Sequence, residues 1–417
     1  LPKTLLAAFI LTLVAIGSSG FAKERPNVLF ISIDDLNDFP NFMGRYPDAK
    51  TPHMDRLARQ GIVFGNAHAQ YPICGPSRAS VMTSLLPTTL DIHSHAKDND
   101  VRDLALELGT KILPSYFADE GYKTMAAGKL FHGHVPDDSV DISAGRGGMR
   151  APTGRLHENW SHRRTQTDWA VADFPDEDFP DHQAADWAVE QLGAKHEKPF
   201  MLMVGFMRPH VPWYVSKRWF DLYDRDSLTL PPFLTDDYND IPLIAHSIGQ
   251  RAEMPRTTWA IRTDQWKDII HAYLASTTFV DHQVGRILDA LEDSPYADNT
   301  VIVLWSDHGY QLGEKNSFQK HSLWERSTHV PLVFAGPGVE AGTRSDRVVS
   351  LMDIYPTLLD LCGLPANPKS QGRSLKPLMD EPTKEWPYPA ITVWREGSAA
   401  IQFENYRYIR YGDGSEE

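Results

Sequence analysis

Cysteine is scarce in this chain, with only two among 417 residues. At most one disulfide can form, which excludes a small fold held together by disulfides. Cys362 lies in the apolar stretch YPTLLDLCGLP and is predicted to be a buried core residue. Cys74 lies in QYPICGPSRASVMTS, between two prolines and at the predicted start of a helix. We expect it to be free rather than bridged to Cys362, and an unpaired cysteine at such a position needs a chemical explanation.

An excess of positive charge is also absent. The formal net charge is −14, from 41 Lys and Arg against 55 Asp and Glu. A general nucleic-acid-binding protein needs a basic face and is therefore excluded. Any anionic substrate has to be attracted by a local cluster of Arg, Lys and His. The chain has 17 His and 11 Trp, enough for such a cluster and for faces on which a sugar ring stacks.

Long apolar runs are missing outside the N-terminus. Residues 5–16 form a short apolar run after Lys3, and small residues follow as far as Ala22. This order is typical of a secretory signal peptide at 1–22 and predicts an exported protein, periplasmic or secreted. An N-terminal membrane anchor is the alternative, although the run is short for a membrane span.

Apolar strands alternate with helices over most of the chain. RPNVLFISIDD and NTVIVLWSDHG are continuous apolar runs that end in acids, a pattern typical of buried parallel strands. TPHMDRLARQ predicts a capped helix, a second helix begins near Pro76, and HVPLVFAGPG predicts one more strand. The alternation predicts an α/β fold with a mostly parallel sheet. Two Pro-rich excursions, at 134–180 and 212–262, interrupt it.

The alternation ends near residue 370, and three short strand-like pieces follow: YPAITVWREG, SAAIQFEN and YRYIRYGDG. They predict a small antiparallel sheet. We therefore divide the chain into a signal peptide (1–22), a large α/β domain (23–370) and an incomplete C-terminal subdomain (371–417).

Polar residues follow the predicted strands at the point where each strand ends. Because the carboxyl ends of parallel strands meet at one edge of a sheet, we expect these residues to converge. Asp34, Asp35 and Asp307 supply oxygens for a hard divalent cation such as Ca²⁺ or Mg²⁺. His308 suits such a cation less well, and each group also has a structural interpretation as a helix cap or a solvated charge. The other members of the set are Lys129 with His132, Arg208 with His210, and Cys74 with Arg78 at a helix start.

These residues lie in motifs that resemble a known family. CGPSR fits the C-x-P-S-R signature of the type I, formylglycine-dependent sulfatases, which have the alkaline phosphatase-like fold. RPNVLFISIDDLN resembles the first metal-binding strand of the family, GYKTMAAGKLFHG its Gly-Lys-x-x-His segment, and VIVLWSDHG its second metal-binding strand. The resemblance runs from about residue 25 to the end of the chain. The variants Gly-Lys-x-Phe-His, Arg-Pro-His-x-Pro and Ser-Asp-His-Gly are most similar to the iduronate-2-sulfatase branch, which also has His at the position of His308.

The resemblance offers an explanation for Cys74. In the family a formylglycine-generating or anaerobic sulfatase-maturating enzyme oxidises this cysteine to 3-oxoalanine (formylglycine), whose aldehyde hydrates to a geminal diol. One hydroxyl attacks the sulfur of a sulfate ester, and the second restores the aldehyde as sulfate leaves. The resemblance further implies that one Ca²⁺ is held by five residues: Asp34, Asp35, Cys74, Asp307 and His308.

The remaining catalytic roles are also implied by the resemblance. Arg78 would steady the hydrated formylglycine, and Lys129, His210 and Lys320 would bind the sulfate oxygens. His132 would accept the proton of the second hydroxyl as sulfate is eliminated. Either His210 or Lys320 could protonate the leaving alcohol, and Asp307 could assist deprotonation of the attacking hydroxyl.

Substrate contacts are predicted outside the sulfate pocket. His93, His95 and Lys97 follow the nucleophile helix, and Arg163 and Arg164 lie among tryptophans in LHENWSHRRTQTDW. With Arg208 they would suit an anionic sugar, since Arg binds carboxylates and Trp stacks on a ring face. A solvated basic loop is the alternative interpretation.

The predicted function is hydrolysis of sulfate esters on a carbohydrate, a uronate-containing polysaccharide or oligosaccharide. A formylglycine-dependent phosphonate monoester or phosphodiester hydrolase is the nearest alternative, since it has the same fold and signature. Two further alternatives are a non-catalytic carbohydrate-binding protein and a hydrolase that uses the Cys74 thiol directly.

Overall fold

A computed structural model describes residues 25–147, 159–160, 165–249, 251–395 and 397–417. The predicted signal peptide (1–22) and the predicted substrate residues Arg163 and Arg164 lie outside these ranges. The strands are β1 (Asn27–Ile33), β2 (Gly61–Phe64), β3 (Ala67–His68), β4 (Lys123–Gly128), β5 (Ile142–Ser143), β6 (Trp169–Ala172), β7 (Phe200–Phe206), β8 (Trp213–Ser216), β9 (Thr300–Ser306), β10 (His329–Val330), β11 (Leu332–Ala335), β12 (Thr343–Ser345), β13 (Val349–Ser350), β14 (Ala390–Trp394), β15 (Ser398–Phe403) and β16 (Tyr406–Arg410).

The helices lie between these strands as the alternation predicts. They are α1 (Pro52–Gln60), α2 (Cys74–Thr83), α3 (Asp98–Glu107), α4 (Leu113–Asp119), α5 (Pro180–Gly193), α6 (Lys217–Phe220), α7 (Leu243–Gly249), α8 (Thr257–Arg262), α9 (Trp266–Glu292), α10 (Glu325–Thr328), α11 (Ile354–Leu361) and α12 (Lys376–Asp380). Within the described ranges, none of these helices combines the length and the apolar character that a membrane crossing requires.

An eight-stranded sheet forms the centre of the molecule, in the order β12-β2-β11-β9-β1-β7-β4-β5. Strand β1 lies in its middle, parallel to β7 on one side and to β9 on the other. Only β11 runs antiparallel to its neighbours β2 and β9. The mostly parallel α/β sheet predicted from the sequence is confirmed, and it brings the carboxyl ends of β1, β7 and β9 to one edge.

Both faces of the sheet are covered, as expected for strands that are apolar at every position. In β1, Val28 and Phe30 face one core layer, which includes side chains of α2, α4 and α11. The alternate residues Leu29 and Ile31 face the other layer, which includes α1, α5 and α9. The protein thus has three layers, with the sheet in the middle.

Helix α2 begins at Cys74, the predicted start, and Pro76 is tolerated in its first turn because an N–H there has no partner within the helix. One local prediction is wrong. The segment HVPLVFAGPG forms two short strands instead of one. β10 pairs with β3 in a separate sheet, and β11 joins the central sheet beyond Pro331.

Strands β14, β15 and β16 form a small antiparallel sheet, as predicted. Side chains of this sheet, including Val393 and Trp394, pack in one apolar cluster with Tyr71 and Ile73, which precede Cys74, and with Leu323. The C-terminal strands therefore support the segments on either side of the predicted site. The boundary at residue 370 stays a prediction.

Candidate active site

Cys74 is the first residue of α2 and is almost completely buried, with 1% of its surface exposed. Both cysteines of the chain are free, as predicted. The Cys74 sulfur lies 3.3 Å from Nε2 of His308 and 3.2 Å from Nζ of Lys320. Burial alone would raise the pKa of the thiol, but the positive charges of Lys129, Lys320 and His308 lower it well below its usual value. The cysteine therefore lies in a strongly electropositive environment.

Cys74 and three side chains around it could hold a metal ion. Asp34 and Asp35 follow β1, and His308 follows the neighbouring strand β9, so the sheet topology places them side by side. One ligand atom from each of these residues and from Cys74 lies within 4.8 Å of the others. Asp34 Oδ1 and Asp35 Oδ2 are buried, and no described residue donates a hydrogen bond to either oxygen. Two orphaned carboxylate oxygens at this point fit a bound cation.

Asp35 adopts a left-handed backbone conformation, with a φ of 59°. Such a conformation is unfavourable for most residues other than glycine and is found at functional sites. Two contacts hold it: the Tyr273 hydroxyl donates to the Asp35 carbonyl at 2.8 Å, and the Asp35 N–H donates to Asp307 Oδ1 at 3.2 Å. The backbone strain therefore aims the Asp35 carboxylate into the cluster.

Asp307, the fifth predicted metal ligand, lies next to the cluster but is already engaged. Its Oδ1 accepts hydrogen bonds from the backbone N–H groups of Asp35 and His308, and its Oδ2 accepts one from Arg78 at 2.7 Å. Oδ1 also lies 3.6 Å from Nε2 of His308. Asp307 thus fixes the backbone positions of Asp35 and His308.

Arg78 lies one helical turn after Cys74 and is completely buried. Its guanidinium donates to Asp307 Oδ2, to the hydroxyl of Ser32 and to the carbonyls of Lys129 and Leu130. Burial would lower its pKa, but the adjacent carboxylates, Asp307 first, raise it above its usual value. Arg78 is therefore a permanent positive charge beneath the cluster.

Two lysines and a histidine complete the surroundings of the cluster. Lys129 donates to Asp34 Oδ2, and Lys320 donates to Asp35 Oδ1 at 2.7 Å. Nε2 of His210 lies 4.0 Å from Asp35 Oδ2. Lys129 follows β4 and His210 follows β7, as the strand-end argument predicts, while Lys320, which only the resemblance implied, lies between β9 and α10. All three line one cavity with Cys74.

His132 also lines this cavity and stacks on His95, with ring centroids 3.7 Å apart and ring planes inclined by 15°. His95 packs tightly on the start of α2. A Cβ atom placed on Gly75 would lie only 2.8 Å from Nδ1 of His95. Burial, followed by the charge of His132, lowers the pKa of His95 to about 4, so His95 is neutral near pH 7. A neutral ring in this stack fixes the plane of His132 beside Cys74.

The cavity has a volume of about 530 Å³, large enough for a sugar unit. Of the predicted substrate residues, His95 and Arg208 line it, whereas His93 and Lys97 do not. His93 instead pairs with Asp91 at 3.3 Å. The guanidinium of Arg208 donates to the backbone carbonyls of His210 and Tyr214, so it also shapes the segment that carries His210.

Other cavity residues were missed by the sequence analysis. Arg251 and Glu253 lie within the excursion at 212–262 and carry no motif of their own, while His321 directly follows Lys320. Adjacency to Lys320 was the one signal that could have identified His321. The cavity as a whole combines a buried reactive residue, a cation-binding cluster and several positive side chains, which is the composition of a site for a tetrahedral anion.

Comparisons with known proteins agree with this geometry. A model of the sulfatase family matches residues 26–364. A protein named sulfatase from Formosa agariphila is 44% identical over 409 residues, covering 94% of this chain and 80% of that protein. Human iduronate 2-sulfatase is 31% identical over 413 residues, covering 85% of this chain and 73% of its own.

The fold is also found among solved structures. BT4656, solved in complex with its substrate D-glucosamine-2-N,6-O-disulfate, superimposes with a TM-score of 0.74 at 23% identity. The match covers 94% of this chain and 90% of that one. At this level of identity the likeness shows the fold alone, the alkaline phosphatase-like fold of the sulfatases.

Proposed function

The chain belongs to the sulfatase family and is a sulfuric ester hydrolase, and on that basis we propose that it removes sulfate from a uronate-containing carbohydrate. The observation that carries the proposal is the position of Cys74, which lies at a buried Asp-Asp-His cluster and lines a cavity with several positive side chains. The uronate is supported by the 31% identity to a protein named iduronate 2-sulfatase.

We further propose that Cys74 is oxidised to formylglycine and that Ca²⁺ binds beside it. The proposed ligands are Asp34, Asp35, residue 74 and His308, with Asp307 holding two of them in place. Formylglycine supplies a hydroxyl that attacks sulfur and a second one through which sulfate can leave, and the cation supplies charge stabilisation. Binding of the sulfate oxygens and proton transfer are then carried out by side chains of the protein.

The positive side chains divide between binding and proton transfer. Lys129 and Lys320 lie on opposite carboxylates of the cluster, so they can bind different oxygens of one sulfate group. His132 lines the cavity at residue 74 and is the group proposed to take the proton of the second hydroxyl. His210 or Lys320 would return a proton to the leaving alcohol.

Metal removal tests the cation site. Dialysis against a chelator is expected to abolish sulfate release, and Ca²⁺ to restore it. Thermal unfolding provides a readout that does not depend on activity, because a ligand at a hundred times its dissociation constant stabilises the folded state by about 2.7 kcal/mol. Full activity in the chelated protein, with an unchanged melting temperature on adding Ca²⁺, would contradict the proposed site.

A variant provides the matched control for this experiment. Asp35→Asn removes one proposed ligand and is expected to abolish the Ca²⁺-dependent rise in melting temperature. Asp298→Asn changes an acid in a turn ahead of β9, away from the cluster, and should leave that rise intact.

Product analysis on defined sulfated disaccharides tests the substrate. Disaccharides from glycosaminoglycans and from algal polysaccharides, each with and without a uronate, are incubated with the mature enzyme. We expect sulfate release from the uronate-containing compounds at least about a hundredfold faster than hydrolysis of phosphonate monoesters or phosphodiesters. A preference for the phosphorus compounds would support the alternative hydrolase instead.

We also propose that the protein is exported, and that it is periplasmic or secreted. The support is the order of residues at 1–22, a lysine, a short apolar run and small residues ending at Ala22.

A further inference from the structure

The cavity contains a cationic group that the proposed sulfate chemistry does not use. Lys129, Lys320 and His210 account for the sulfate oxygens, whereas Arg251 reaches the same cavity from the excursion between β8 and α9. Its side chain is 27% exposed, so it is neither a core residue nor a freely solvated one. A half-buried guanidinium in a substrate cavity is a candidate for binding a second group of the substrate.

Arg251 is held in a defined orientation. Its Nε donates to Glu253 Oε1 at 2.8 Å, and its Nη2 donates to the same oxygen. No described residue accepts a hydrogen bond from its Nη1. Glu253 thus fixes one edge of the planar guanidinium and leaves N–H groups on the other edge available. This arrangement is pre-organised, which reduces the entropy cost of binding.

His321 directly follows Lys320 in the sequence and lines the same cavity as Arg251 and Lys320. Burial, followed by the charge of Arg251, lowers the pKa of His321 well below its usual value. The imidazole packs edge-on against Trp394 of the C-terminal sheet, with ring centroids 5.6 Å apart. Its Nδ1 is buried, and no described residue bonds to it. Because His321 and Arg251 line the same cavity, the N–H group of a neutral imidazole and the guanidinium can both donate to an anion bound there.

We propose that Arg251 and His321 form a second anion subsite, which binds the carboxylate of the uronate while sulfate is bound at residue 74. The inference rests on the proposed function. A planar guanidinium matches the two oxygens of a carboxylate, whereas a sulfate group is already accommodated by the lysines on the cavity floor. Glu253 contributes indirectly, as a positioning residue for Arg251.

The test compares a sulfated hexuronate with its carboxyl-reduced counterpart, in which the carboxylate is replaced by a hydroxymethyl group. Arg251→Gln is expected to lower kcat/KM on the uronate by about ten- to a hundredfold, mainly through KM, because a hydrogen bond to a charged group is lost. The same variant should change kcat/KM on the reduced sugar by less than about threefold. Arg251→Lys keeps the positive charge but not the planar pair of N–H donors, and an intermediate loss of kcat/KM on the uronate is expected.

Arg262→Gln is the matched control, since Arg262 is an exposed arginine on α8 in the same excursion. It should leave both substrates unaffected, and the melting temperatures of all variants show whether they fold. An equal loss of kcat/KM on the uronate and on the reduced sugar in Arg251→Gln would overturn the carboxylate subsite. So would an equal loss of kcat/KM in this variant on a reduced sugar that carries a second sulfate. If the wild type hydrolyses both sugars equally well, the subsite is wrong while the sulfatase proposal stands. If it hydrolyses neither but cleaves a phosphonate monoester, the proposed function itself fails, and the subsite with it.

Discussion

Replacing Cys74 with alanine is expected to abolish sulfate release, with a loss of at least about ten-thousandfold in kcat. The reason is that residue 74 is proposed to supply the attacking oxygen, and none of the cavity residues around it can take that role. The fold should persist, because alanine fits at the start of α2, where Cys74 makes few apolar contacts. Steady-state kinetics on the preferred sulfated sugar measures the loss, and a thermal melt checks the fold.

Cys362→Ala provides the matched control, since Cys362 is the other buried cysteine and lies at the end of α11 in the hydrophobic core. It should lose about 1 kcal/mol of stability through the small cavity and keep full activity. A Cys362 variant that lost activity as completely as the Cys74 variant would remove the special role of Cys74.

Mass spectrometry of the peptide that contains residue 74 separates the two chemical roles of this cysteine. In active wild-type protein we expect the mass that results from replacing the thiol-bearing CH2–SH group with an aldehyde. Active protein with an intact thiol, inactivated by alkylation, would instead support a hydrolase that uses the thiol directly. The distinction does not require the natural substrate to be known.

Arg78→Met is expected to lower the free energy of unfolding by about 3–5 kcal/mol and to abolish activity. The side chain is completely buried and donates to Asp307 and to the carbonyls of Lys129 and Leu130. Its removal takes the Arg78 donor from Asp307 Oδ2 and from the Leu130 carbonyl, a cost that methionine's apolar contacts do not offset. The Lys129 carbonyl keeps a hydrogen bond from the Ser32 hydroxyl at 3.2 Å. Urea unfolding followed by tryptophan fluorescence measures the change.

Two further variants define how the loss arises. Arg344→Met removes an exposed arginine paired with Asp346 and should shift stability by less than about 1 kcal/mol. The double variant Arg78→Met with Asp307→Asn should recover part of the lost stability, because it also removes the uncompensated carboxylate, but none of the activity. Wild-type stability in the single variant would show that Arg78 does not neutralise the acids in the folded protein.

Much of the fold could be predicted because the strands are short, continuous apolar runs. RPNVLFISIDD can be buried on both faces only in a parallel sheet covered by helices, and this single inference fixed the layer architecture and the edge at which the site lies. The antiparallel course of β11 could not be predicted in this way, because an apolar run such as LVFA has no direction in it. Direction depends on the connections, which sequence periodicity does not describe.

The residues of the metal-binding cluster were more predictable than the other residues that line the cavity. Asp34, Asp35 and His308 follow strands, so their positions are set by the topology of the sheet. Arg251 and His321 lie on irregular segments, whose course is set by packing against distant parts of the chain such as Trp394. His93 was predicted to contact substrate but does not line the cavity, whereas His95, two residues further along the same loop, does.

The residues that enclose Cys74 are synthesised long after Cys74 itself. Cys74 is 234 positions from His308, and it is enclosed by side chains that follow β1 and by His308 and Lys320, which follow β9. At roughly 5–20 residues per second, synthesis of that interval takes about 10–50 seconds. Throughout this time Cys74 remains accessible on an unfinished chain, and afterwards it is sealed within the first turn of a helix. The enzyme that is proposed to oxidise the thiol would have to act within this interval, or else keep the chain unfolded beyond it.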